Sequence, residues 1–136
     1  MDERDRPAVS VVDDDESLRR SLGNLLRSVG LGVATFASAE EFLRSAQREN
    51  TRCLVLDLRL TGMSGLDLLR HLAVADSHIP VVILTAHGDE ELRRRSLRAG
   101  AVAFLDKPFR SDALLDAVRT ALRWTRGDAE IRARRG

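Results

Sequence analysis

Several residue types are almost absent from this 136-residue chain, and each absence excludes a class of protein. A single cysteine excludes a disulfide framework and a paired-cysteine metal site. No apolar run approaches the roughly 20 residues of a membrane helix, and no signal-peptide pattern opens the chain, so we expect a reducing, cytoplasmic setting without membrane contact. The 22 basic and 21 acidic residues give a net charge of +1, which argues against nucleic-acid binding by this domain itself.

Lysine is the scarcest charged residue, since all but one of the 22 basic residues are arginine. The exception, Lys107, lies in the segment FLDKPF. In a chain that otherwise uses arginine, a retained lysine indicates a position that needs a compact ammonium group instead of a planar guanidinium. Composition alone therefore makes Lys107 a candidate functional residue, with chance as the alternative explanation.

The remainder of the chain alternates short apolar runs with segments of helical periodicity. The runs are rich in β-branched residues, as expected for parallel strands buried on both faces; they cover Ala8 to Val12, Gly32 to Phe36, Cys53 to Leu56, Val81 to Leu84 and Ala101 to Leu105. This repeated strand–helix order predicts an α/β fold with right-handed crossovers and a doubly wound, five-stranded parallel sheet. The fourth helix, Glu90 to Arg98, has only Leu92 and Leu97 as large apolar anchors, so we expect it to pack weakly.

Polar residues follow four of the five runs, at the edge where an open parallel sheet binds its ligands. Asp13 and Asp14 follow the first run, Asp57 the third, Thr85 the fourth and Lys107 the fifth. The second run is followed by no charged residue. This pattern predicts a flavodoxin-like strand order of 2-1-3-4-5, in which the second strand is outermost and supplies nothing to the site.

Three of these residues, Asp13, Asp14 and Asp57, form a predicted carboxylate cluster. Two like charges about 4 Å apart repel by roughly 4 kcal/mol at an effective dielectric constant of about 20, and one lysine cannot offset three carboxylates. Protons or a divalent cation must therefore be present. Carboxylate oxygens without cysteine or histidine nearby favour Mg²⁺, Mn²⁺ or Ca²⁺, and Mg²⁺ readily shares its ligands with phosphate oxygens.

Asp57 differs from the other two acids because it stands alone at the end of a buried strand and is followed by a loop. That position suits a carboxylate nucleophile. Thr85 can donate to a phosphoryl oxygen, and Lys107 can hold another as a point charge. Together these residues predict phosphoryl transfer onto an aspartate. Taken singly, each has a plainer explanation: an acidic run often complements a helix N-terminus, and a threonine at a strand end is often a turn residue.

With these residues placed, the chain resembles the receiver domain of bacterial two-component response regulators over residues 8–122. The resemblance rests on the motifs VVDDDES, LDLRLTGMSG, VVILTAHGD and AGAVAFLDKPF. The strings LTAHGD and MSGLDLLR look most like the FixJ-type subgroup, whose members carry a DNA-binding domain after the receiver. The resemblance implies a signalling domain, not a turnover enzyme, that accepts a phosphoryl group from a sensor histidine kinase in a Mg²⁺-dependent reaction.

The resemblance also implies a role for each site residue. Asp57 is similar to the phosphoacceptor, and Thr85 and Lys107 to the two phosphate-binding residues. Asp14 is similar to a direct metal ligand and Asp13 to one that acts through water. The backbone carbonyl of Arg59 corresponds to a third protein ligand of the metal. Phe104 corresponds to a switch residue that turns inward together with Thr85.

Two features of the resemblance concern the whole protein. Phosphorylation is expected to change the face formed by the fourth helix, fifth strand and fifth helix and to favour a homodimer. Residues 1–125 would form the receiver domain, and the Arg-rich residues 126–136 a tail or the start of a linker to an effector domain through which DNA is contacted.

Many relatives have proline where this chain has Thr61, so the loop after Asp57 is expected to be less rigid here.

Two other functions remain open from the sequence. The spacing of Asp13, Asp15 and Ser17 partly matches the nucleophile motif of haloacid-dehalogenase-like phosphatases, with Asp13 as the nucleophile. That chemistry needs a further acidic pair after Lys107, where only a helix and the tail follow. The second alternative is a receiver-shaped interaction module that is never phosphorylated.

Overall fold

The computed structural model describes residues 8–75, 78–86 and 90–123. Five strands alternate with five α-helices: β1 Ala8–Val12, α1 Glu16–Ser28, β2 Gly32–Phe36, α2 Ala39–Arg44, β3 Cys53–Asp57, α3 Gly65–Val74, β4 Val81–Thr85, α4 Glu90–Arg98, β5 Ala101–Asp106 and α5 Ser111–Leu122. A 3₁₀ helix, Ala46–Asn50, lies between α2 and β3. The strands pair in parallel in the order β2-β1-β3-β4-β5, which confirms the predicted topology.

The hydrophobic core lies in two layers, one on each face of the sheet. One layer contains side chains of α2 and α3, with Phe42 and Leu69 among them, and the partly buried Leu92 and Leu97 of α4 pack against it. The other contains side chains of α1 and α5, such as Leu26. Strands β3 and β4 are buried along their whole length, as expected for central strands covered on both sides.

Local signals in the sequence match the observed helix starts. The backbone N–H of Glu41 donates to Ser38 Oγ over 3.1 Å, and the N–H of Asp67 donates to Ser64 Oγ over 3.1 Å. Each bond satisfies one of the N–H groups that the first turn of a helix leaves without a partner. These two capping interactions fix where α2 and α3 begin, and α3 begins directly after the loop that follows Asp57.

Three strands extend one residue beyond their predicted ends. The predicted strands stop at Leu56, Leu84 and Leu105, whereas the observed ones include Asp57, Thr85 and Asp106. The prediction was wrong because it ended each strand with its apolar run, but backbone pairing continues past the last apolar side chain. Asp57 is in register with Leu84, and Thr85 with Asp106. The candidate residues at 57 and 85 therefore belong to the sheet itself.

The fourth helix packs weakly, as its sequence predicts. Ser96 is its one fully buried residue, and the Ser96 hydroxyl donates to the backbone oxygen of Leu92 over 2.8 Å. By comparison, α3 buries five residues. A helix held by so little apolar contact moves at low free-energy cost.

Two further observations concern the remaining sequence predictions. Cys53 is fully buried in β3, and this burial raises the pKa of its thiol to about 12, as expected for a small hydrophobic core residue. Among the helices in the described ranges, none is long and apolar enough to cross a membrane. The predicted tail, residues 126–136, lies outside the described residues.

Candidate functional site

Lys107 joins two of the predicted site carboxylates. Its Nζ atom donates to Asp13 Oδ2 over 2.9 Å and to Asp57 Oδ2 over 3.3 Å. These residues follow or end strands β1, β3 and β5, and they are separated by up to 94 positions in the chain. The parallel sheet brings them to one edge, as the sequence predicted.

Asp57 is held in a defined orientation at the end of β3. Its side chain is buried, with 6% of the residue exposed, and its Oδ1 atom accepts a hydrogen bond of 3.0 Å from the backbone N–H of Arg59. Burial raises the pKa of Asp57, and the nearby charge of Asp13 adds to this, while the Arg59 N–H and Lys107 oppose it. The net pKa shift of Asp57 is upward, and burial is its main cause.

Lys107 remains a cation in this setting. Burial lowers its pKa, but the hydrogen bond to Asp13 and the charges of Asp13 and Asp57 outweigh that effect, so the pKa lies above its ordinary value. The backbone also holds this residue, because the Lys107 N–H donates to the Thr85 oxygen over 2.6 Å. The ammonium group is thus fixed beside the two carboxylates at any pH near neutrality.

Asp13 is fully engaged by its surroundings. Its Oδ1 atom accepts from the backbone N–H of Asp15 over 2.9 Å while Oδ2 accepts from Lys107, and only 1% of the residue is exposed. Arg19, on the first turns of α1, donates from Nη1 to the Asp13 backbone oxygen over 2.8 Å. Asp14 is different, because its side chain is exposed and its Oδ2 atom accepts a long hydrogen bond of 3.4 Å from the Thr61 hydroxyl.

The three carboxylates fit a divalent cation. One oxygen each from Asp13, Asp14 and Asp57 lies within 4.8 Å of the others. Two oxygens on opposite sides of an Mg²⁺ ion are about 4.2 Å apart, so the spacing is close to what that ion requires. The donors are all hard oxygen atoms, and three carboxylates exceed the single charge of Lys107. This acidic pocket can therefore hold a metal ion.

Thr85 and Phe104 lie on the side of the pocket toward β4, β5 and α4. The Thr85 hydroxyl is fully buried and has no hydrogen-bond partner among the described residues. A buried hydroxyl without a partner typically costs about 1–3 kcal/mol, so this group gains from any acceptor brought to it. Phe104 is 9% exposed, and the guanidinium carbon of Arg93 on α4 lies 5.4 Å from its ring centroid.

No residue of β2 or α2 belongs to the carboxylate cluster, but the helix that follows the second strand contacts the loop beside it. Glu40, in the first turn of α2, reaches the loop after β3, where its Oε2 atom accepts from the backbone N–H of Met63 over 3.3 Å. Sequence reasoning missed Glu40 because it considered only the two residues directly after the strand. It missed Arg19 because a helical arginine that binds a backbone oxygen has no sequence pattern of its own. In the sequence alone, Glu40 and Arg19 cannot be told apart from nearby charged residues that are exposed to solvent.

Comparisons with known proteins agree with this geometry. The family described as response regulator receiver domain matches residues 9–119. Nodulation protein W of Bradyrhizobium diazoefficiens is 56% identical over 110 residues, which are 81% of this chain and 48% of that protein. Transcriptional regulatory protein FixJ of Azorhizobium caulinodans is 42% identical over 114 residues, 84% of this chain and 54% of that protein. The chain thus spans about half the length of the curated relatives it matches.

Solved structures show the same likeness. The response regulator StyR is 48% identical with a TM-score of 0.81, and the match covers 96% of this chain and 64% of that one. The structure named FixJ-N is 38% identical with a TM-score of 0.79, covering 88% of this chain and 95% of that one. This chain belongs to the receiver domain family of the two-component response regulators, with FixJ among its relatives.

Proposed function

We propose that Asp57 is the phosphoacceptor of this receiver domain. The observation that supports it best is the double contact of Lys107 Nζ with Asp13 Oδ2 and Asp57 Oδ2, at 2.9 and 3.3 Å. This contact sets a cation beside the one carboxylate that ends a central strand. A carboxylate in that position can attack, and an ammonium next to it neutralises charge that accumulates during phosphoryl transfer.

The transfer forms one bond and breaks one. An oxygen of Asp57 forms the new P–O bond while the P–N bond of a phosphohistidine on a sensor histidine kinase breaks, and the electron pair of that bond stays on the imidazole nitrogen. Lys107 holds one phosphoryl oxygen, and the Arg59 N–H keeps the carboxylate oriented. The hydroxyl of Thr85 gains its hydrogen-bond acceptor when the phosphoryl group arrives.

A Mg²⁺ ion, or Mn²⁺ in its place, is the cofactor we propose for this pocket. Asp14 and Asp57 would bind it directly, Asp13 through water, and the backbone carbonyl of Arg59 would be the third protein ligand. Asp13 suits an indirect role because it is the more deeply buried of the two acids that Lys107 contacts, and its contact with Nζ is the shorter, at 2.9 Å against 3.3 Å for Asp57. When bound, the ion neutralises the negative charge that Asp57 and the incoming phosphoryl group bring together.

The signal would leave the site through Thr85 and Phe104. Movement of Thr85 toward the phosphoryl group draws the end of β4 inward, and Phe104 then turns on β5. Because α4 buries little and Arg93 stacks on Phe104, the face of α4, β5 and α5 changes shape with that turn. We propose that the changed face pairs with a second copy of the chain.

At the level of the whole protein, we propose a cytoplasmic regulator of transcription. The relatives include proteins named as transcriptional regulators, and the matched region is about half of each. DNA contact would come from an effector domain joined beyond residues 126–136. The domain would act as a phosphoacceptor that promotes only its own phosphorylation and dephosphorylation, and not as an enzyme that turns over a substrate.

Neither alternative function is favoured by the site. A phosphatase with Asp13 as nucleophile needs a further acidic pair at a strand end after Lys107, and among the described residues only α5 follows β5. A receiver-shaped module without phosphorylation would have no use for a lysine that joins two buried carboxylates. The following experiment separates all three functions.

The test is intact-mass measurement after incubation with acetyl phosphate, with and without Mg²⁺. Wild-type protein should gain about 80 Da, the mass of one phosphoryl group, only when Mg²⁺ is present. Asp57→Asn should gain nothing, because the acceptor oxygen is lost. Asp116→Asn, an exposed position on α5, is the matched control and should react like the wild type. Mass gain by Asp57→Asn would contradict the assignment, and absence of any gain in the wild type would favour the interaction module.

A further inference from the structure

The loop between β3 and α3, residues 58–64, is fastened at both of its ends and at its tip. At its base, the Arg59 N–H bonds to Asp57 Oδ1 over 3.0 Å, and the Gly65 N–H bonds to the Leu58 oxygen over 3.0 Å. At its tip, the Thr61 hydroxyl bonds to Asp14 Oδ2. The loop thus carries the N–H that orients the candidate phosphoacceptor, so the position of its tip bears on the chemistry.

Glu40 connects the tip of this loop to α2, the helix that follows the outermost strand β2. Its Oε2 atom accepts from the Met63 N–H at 3.3 Å, across 23 positions of sequence. The other oxygen, Oε1, is buried and has no hydrogen-bond partner among the described residues. Burial of a carboxylate oxygen without a hydrogen-bond partner costs free energy, so we expect the Glu40 carboxylate to serve a role that offsets this cost.

Gly62 shows how closely the carboxylate approaches the loop. A Cβ atom added at position 62 would lie 2.6 Å from Glu40 Oε2, nearer than real Cβ atoms come to an oxygen. The residue also has φ of +83°, which favours glycine. Because Gly62 has no side chain, the tip of the loop leaves room for the Glu40 carboxylate.

We propose that Glu40 is a positioning residue for phosphorylation, which acts by fixing the loop that carries Arg59. The inference rests on the proposed role of Asp57. Glu40 is not one of the clustered carboxylates and does no chemistry; it holds the tip through Met63 and Gly62, while Asp14 holds it through Thr61. With the tip fixed from two sides, the Arg59 N–H stays directed at Asp57, and the Arg59 carbonyl would stay available to a bound metal.

The experiment compares acetyl phosphate labelling rates and Mg²⁺ affinities of three variants. Glu40→Ala should lower both by about tenfold, the usual size of losing a group that orients a metal ligand. Glu40→Gln keeps an oxygen that can accept from the Met63 N–H and should stay within about threefold of the wild type. The matched control is Glu41→Ala, because the Glu41 carboxylate accepts from the nearby Ala37 N–H at its own helix start, and this variant should label at the wild-type rate.

A second measurement detects the contact itself. Amide hydrogen exchange at Met63 should become faster in Glu40→Ala and remain slow in Glu40→Gln, because the proposed bond is lost only in the first. Unchanged labelling, Mg²⁺ affinity and Met63 exchange in Glu40→Ala would overturn the inference. Should the wild type fail to label at all, the proposed role of Asp57 fails, and Mg²⁺ affinity and Met63 exchange still decide the role of Glu40.

A double-mutant cycle with Gly62 tests the same contact from the side of the loop. Gly62→Ala pushes the carboxylate aside, so it should slow labelling by about tenfold when Glu40 is present. In the Glu40→Ala background the same substitution should add little further loss, since no carboxylate remains to displace. Equal losses in both backgrounds would show that Gly62 acts through its own backbone strain and would count against the role of Glu40.

Discussion

At the residue scale, the surroundings of Asp57 disfavour the charged form of its carboxyl group. Its carboxylate is buried beside Asp13, and Lys107 must serve both acids. The resulting rise in the pKa of Asp57 means that the folded state binds the Asp57 proton more tightly than the unfolded state does. A charged Asp57 therefore lowers stability at neutral pH, and an activating charge is maintained at the expense of folding.

Asp57→Asn should consequently stabilise the protein at pH 7.5 by roughly 1 kcal/mol, the size of a like-charge repulsion that is well screened. The contribution of a raised pKa is fully present below the unfolded value and is lost as pH rises through the folded value. The advantage of the variant should therefore shrink as pH is lowered from 7.5 toward 4.5. Urea unfolding of both proteins across that range measures it, with Asp116→Asn as the exposed control. A variant less stable than the wild type at pH 7.5 would contradict the electrostatic account.

At the scale of elements, α3 lies against the backbone of β3 with no room between them. A Cβ added to Gly65 would overlap the backbone oxygen of Asp57 and lie 2.6 Å from the Leu58 Cα, so backbone atoms would have to move. Glycine at the first position of α3 is therefore what allows this helix to start directly beside the candidate phosphoacceptor. Its role is close approach, not a left-handed conformation.

Gly65→Ala should destabilise the protein by about 1–3 kcal/mol, as overpacking against backbone does, and should also slow labelling of Asp57. Gly23→Ala on α1 is the matched control: the added Cβ meets chiefly the flexible end of Arg27, so replacing a helical glycine should stabilise by about 0.5–1 kcal/mol. Thermal unfolding of the two variants shows the contrast in sign. A tolerated Gly65→Ala would mean that α3 can shift away from β3 without loss.

The sequence was sufficient to predict the elements and the main site, because both depend on patterns that are local or repeated. Apolar runs locate the strands, and parallel strands carry their terminal residues to one edge, which brings Asp13, Asp57 and Lys107 together. The sequence could not show that Asp57 and Thr85 still pair within the sheet, since hydrogen-bond register is not visible in side-chain polarity. It also could not show the reach of Glu40, which depends on how the capped helix α2 sits beside a loop 20 residues later in the chain.

At the scale of the whole molecule, the acidic pocket links metal binding to folding. The three carboxylates are brought together only by the folded sheet, so an ion that binds them stabilises the native state. Adding Mg²⁺ at about ten times its Kd should raise the free energy of unfolding by roughly 1.4 kcal/mol, and EDTA should reverse the effect. Denaturant unfolding in matched ionic strength measures this gain, and Asp14→Asn should abolish most of it. A gain that persists in Asp14→Asn would locate the ion elsewhere.

The proposed site residues Asp57 and Thr85 are the last residues of the central strands β3 and β4. This has a consequence for exchanging loops between related receiver domains. Backbone bonds from Leu58 to Leu84 and from Lys107 to Thr85 hold positions 57 and 85 in the sheet, whereas residues 59–63 belong to a connecting segment. A chimera that receives this segment from another receiver would keep its acceptor in place. Grafting would then retune how fast the domain is modified while leaving where it is modified unchanged.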